Sequence, residues 1–121
     1  RKMKSVMAAI QSIDYDLYAV VALDQDNQYL VRALPVEIVQ NIDDVLHLAI
    51  LSHQLNRIIF IHYAPTKIID DPISNFLKSS LRTACDIVGI ELLDYVELTK
   101  NEIKEIYGSN VATLQVGDSL D

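Results

Sequence analysis

Arg57-Ile58-Ile59-Phe60-Ile61-His62-Tyr63-Ala64-Pro65-Thr66-Lys67 is the stretch that decides the fold. Four apolar residues in a row, three of them β-branched, predict a buried strand over Ile58–Ile61. A strand covered on both faces needs neighbours on each side and helices above and below. The strand is expected to end at His62, with a loop from Tyr63 to Asp70. Asp71-Pro72 then opens a helix, because a capping acid followed by proline at the first helical position is a strong start signal. Ile73, Phe76, Leu77, Leu81, Ala84 and Val88 form one stripe of that helix, and Gly89 ends it. Ile90–Leu98 reads as the next strand.

Upstream, Met3, Val6, Met7, Ile10 and Ile13 recur at helical spacing, so residues 2–12 predict an amphipathic helix. Leu17–Leu23, the turn Asp24-Gln25-Asp26-Asn27 and Tyr29-Leu30-Val31 predict a hairpin. Pro35 interrupts it, and Val36–Val39 is expected to add a short strand. Asn41 caps a helix from 42 to about 56, with Asp44 placed to reach back to it. Thr99 and Glu102 predict a capping box for a short helix ending at Gly108. Val111–Val116 reads as a last strand. This order gives an α/β (α+β) class, with a mixed sheet flanked by helices.

Composition narrows the function. The chain has 121 residues, half of them apolar, which suits one domain over 1–121 with a real core. No apolar run reaches the length of a membrane span, and Val6–Ile10 is too short for the apolar region of a signal peptide. Cys85 is the single cysteine, which rules out an internal disulfide framework and a Cys-rich zinc finger. The expected location is cytoplasmic. The net charge is −7, and from residue 13 onward seven bases face seventeen acids. Such a body repels phosphate backbones, so nucleic acid is a disfavoured partner. Lys67, Lys78 and Arg82 make the one basic cluster worth naming.

The loop after a buried strand is a usual place for function. His47 and His53 are six apart on a helix, about 240° around its axis, and do not form a metal clip. Cys85 has no evident base beside it and reads as a packed thiol. The loop from His62 to Lys67 contains no glycine, so its backbone cannot cradle phosphate as a P-loop does.

The layout from Ile58–Ile61, through His62-Tyr63-Ala64-Pro65-Thr66-Lys67 and Asp71–Val88, to Gly89–Val96 resembles the RadC-type branch of the JAB/MPN metalloprotease-like family. In that family a buried strand runs into a His-Asn-His-Pro-Ser-Gly loop. A helix beginning at an acid, a Gly-Ile segment and a Leu-Asp-His strand follow. The resemblance covers residues 42–98 and implies a JAB/MPN-like (cytidine-deaminase-like) architecture. Active relatives hold zinc with two His and one Asp, and a Glu activates the metal-bound water. His62 keeps the first ligand position, but the second falls on Ala64, and the Asp falls on Ser74 or Asn75. The Glu would fall near Ala33 or Leu34, and Glu37 is the nearest acid. Pro65 keeps its place in the motif.

The resemblance therefore implies a pseudoenzyme without cofactor, a scaffold or protein-interaction domain associated with DNA-repair or mobile-element functions. A homodimer or another protein partner is expected, with no membrane role. Met3, Val6, Met7, Ile10 and Tyr63 are expected at an interface, and the surfaces of the 2–12 and 71–88 helices are the places to look. The 2–12 helix is expected to pack on its own sheet or on a second copy. Two rivals stand beside this reading. One is a divergent metallo-isopeptidase-like hydrolase using His62 with Asp70 or Asp71 as ligands and Glu37 as base. The other is a nucleic-acid accessory domain using an Arg1-Lys2-Lys4 arm.

Overall fold

The computed structural model describes residues 2–24, 26, 29–50 and 55–108. Its elements are α1 (Lys2–Gln11), β1 (Leu17–Leu23), β2 (Tyr29–Pro35), a 3₁₀ turn (Val36–Ile38), α2 (Ile42–Ile50), β3 (Arg57–Tyr63), α3 (Pro72–Ile87), β4 (Glu91–Leu98) and β5 (Ile103–Glu105). The five strands form one mixed sheet in the order β2-β1-β3-β4-β5. Only β3 and β4 run parallel, and α3 is the crossover between them. The α/β class expected from the sequence is the class observed.

The central strands are apolar on both faces because helices cover both. On one face Met7 and Ile10 of α1 pack with Leu17, Ala19, Val21, Ile59, Ile61 and Tyr63. On the other, Val45 of α2 and Leu77 and Leu81 of α3 pack with Tyr18, Val20, Phe60 and Tyr95. All seven residues of β1 are buried. Edge strand β2 is half-exposed to exposed along its length.

Local signals set the helix ends. The Asn41 side chain accepts from the Asp43 amide at 2.9 Å, and Asp44 reaches back to the amides of Gln40 and Asn41 at 2.8 and 3.3 Å. Asp71 caps α3 by accepting from the Ser74 amide at 2.8 Å. At its other end Gly89 takes φ +80°, the Ile90 amide donates to the Cys85 carbonyl and the Gly89 amide to that of Asp86. This double closure requires the left-handed residue that glycine supplies.

Several boundaries differ from expectation. Val36–Ile38 forms a 3₁₀ turn rather than a strand: Pro35 stops β2, and the Val39 amide closes onto the Val36 carbonyl. Strand β3 runs through His62 to Tyr63, because β1 and β4 supply partners on both sides to that point. The helix expected to reach about residue 56 is described as far as Ile50. Leu55 lies in a turn, and Asn56 takes φ +57° before β3 begins. Residues 99–108 form no helix. Thr99 Oγ1 accepts from the amides of Asn101 and Glu102, while the Thr99 amide donates to the Glu102 carbonyl. These bonds close a tight β4–β5 hairpin. The expected strand Val111–Val116 lies outside the described residues.

Candidate functional site

His62 sits near the carboxyl end of the parallel β3–β4 pair, the region where crossover folds gather functional groups. Alternation along β3 sends Ile59, Ile61 and Tyr63 to the α1 face and Phe60 and His62 to the α3 face. His62 is directly paired with Tyr18 on β1, and their ring centroids lie 4.8 Å apart. The first turn of α3 lies over them. Ser74 Oγ lies 3.4 Å from His62 Nδ1 and 3.3 Å from the Tyr18 hydroxyl, and it donates to Asp71 Oδ2 at 3.3 Å. Asp71 thus caps the helix with one carboxylate oxygen and orients the Ser74 hydroxyl with the other.

Tyr18, His62 and Ser74 are closed to solvent, and Asp71 is half-buried at the edge of the cluster. His62 is 3% exposed and Ser74 fully buried. Burial lowers the His62 pKa, outweighing the opposing pull of Asp71 and Glu97. Burial likewise raises the Tyr18 pKa. The ground state is therefore a neutral imidazole against two hydroxyls. A hydroxyl that already donates to Asp71 presents its lone pairs to Tyr18 and His62, which suits a protonated Nδ1 on the ring.

Two candidates for the acidic ligand position are now separated. Ser74 faces His62, whereas Asn75 is exposed on the helix surface. Ala64 is buried and offers no donor side chain. Asp70 is exposed and pairs with Lys78 at 3.3 Å. Both Asp71 oxygens are engaged with Ser74. Among the described residues, no three His, Cys, Asp or Glu side chains are grouped to hold a metal ion. Catalytic zinc needs three protein ligands and an open position. An imidazole, a serine hydroxyl and an occupied capping acid do not fit that requirement. Glu37 stands on the exposed 3₁₀ turn, lining a shallow cleft with Tyr15, Asp16 and Val36.

The residues expected at an interface lie mostly within the core. Met7, Ile10 and Tyr63 are buried, and Val6 packs against them. The Tyr63 hydroxyl donates to the Ile13 carbonyl at 2.6 Å, tying the end of α1 to β3. The Met3 side chain lies outside the described residues. Of the basic cluster, Lys78 pairs with Glu97 at 3.1 Å, and the Arg82 guanidinium lies 3.9 Å from the Tyr107 ring centroid. Cys85 is buried, and desolvation pushes its thiol up to about 11.

Sequence reading did not find Tyr18, which meets His62 through strand pairing, or the Lys78–Glu97 pair, which depends on how α3 packs over β4. Asp94 lies in the segment after Gly89 that the resemblance covers, but the sequence alone gives it no role. A register shift between Ile58 and Ile59 of β3, opposite Leu92 and Asp94 of β4, accompanies its burial. Its carboxylate accepts from the Tyr107 amide at 3.1 Å, holding the chain after β5.

No protein-family model matches this chain, and no curated protein matches it significantly. Among the described residues, no helix is long and apolar enough to cross a membrane.

Proposed function

We propose that this chain is a RadC-type, JAB/MPN-like domain that works as a cytoplasmic protein-binding scaffold, its zinc chemistry lost. The observation that carries this reading is Ser74. Where the resemblance calls for a metal-binding carboxylate, a fully buried hydroxyl lies 3.4 Å from His62. The neighbouring Ala64 adds a methyl group where a second imidazole would be needed. A buried imidazole with a depressed pKa, packed at a tilt against Tyr18, serves packing and hydrogen bonding. The order of buried strand, loop, acid-capped helix, Gly89 and second parallel strand supports the resemblance.

Native mass spectrometry of the untagged protein after incubation with zinc tests the reading. The expected result is no retained metal and a melting temperature unmoved by chelator. One tightly held zinc per chain, lost in His62→Ala, would favour a divergent hydrolase and overturn it.

A further inference from the structure

We draw no further inference here: the strongest candidate, the cleft at the carboxyl ends of β3 and β4 between the loop at Thr66 and the β4–β5 hairpin, carries nothing because its exposed Lys67 and Lys104 are matched in number by Glu97 and Glu102, so its charge selects no class of ligand.

Discussion

The His62 imidazole carries a linkage between pH and stability that follows from its burial. Its folded pKa lies below the ordinary 6.5. Above that value the ring is neutral in both states, and the native state has its full stability. As the pH falls through 6.5 the unfolded chain takes up a proton that the folded ring resists, so stability declines toward the lowered folded value. Melting temperatures measured from about pH 7.5 down to about pH 5 should show this decline, and His62→Gln should remove its share of the slope. An unchanged slope in the variant would mean that His62 is solvated. The Ser74 hydroxyl is a sharper probe of the same cluster. Ser74→Ala deprives Tyr18 and His62 of their buried partner, and urea unfolding should register a loss of about 1–3 kcal/mol. At Cys85, where the thiol is pushed up to about 11, neutral iodoacetamide should modify the unfolded chain and spare the folded one.

At the scale of elements, α3 is the best-determined segment, because its start and stop signals are both local. Asp71 and Pro72 fix one end and Gly89 the other. Asp71→Ala should cost about 1 kcal/mol by loss of the cap, with Asp71→Asn losing less, both measured by thermal unfolding. The helix over 2–12, the hairpin strand Leu17–Leu23 and the strand ending at Leu98 were legible for the same local reason. The segment after Leu98 was not. Thr99 with Glu102 is a signature shared by helix N-caps and by tight turns, since in both a threonine oxygen captures amides two and three residues on. Pairing of Val96 with Glu105 decides between them, and that contact is invisible to a local reading. The length of β3 was underestimated because His62 is polar, although its burial depends on Tyr18, 44 positions earlier. His62 itself could be singled out from its place after a buried run. Its partners could not, because strand register and the turn of α3 bring them together.

The whole molecule is a three-layer arrangement, with α1 on one face of the sheet and α2 and α3 on the other. Its acidity sets its encounters. Fluorescence anisotropy with duplex DNA at physiological salt should show no saturable binding, since a net charge of −7 opposes a phosphate backbone. Saturable, salt-sensitive binding would revive the accessory-domain reading. If the positions around His62 are a metal site emptied of its ligands, as we propose, restoring those ligands should restore metal binding. Native mass spectrometry in the presence of zinc should find none held by the native chain and one held by Ala64→His/Ser74→Asp, lost again on adding His62→Ala. A folded double variant that takes up no zinc, or a native chain that holds one through His62, would contradict the account.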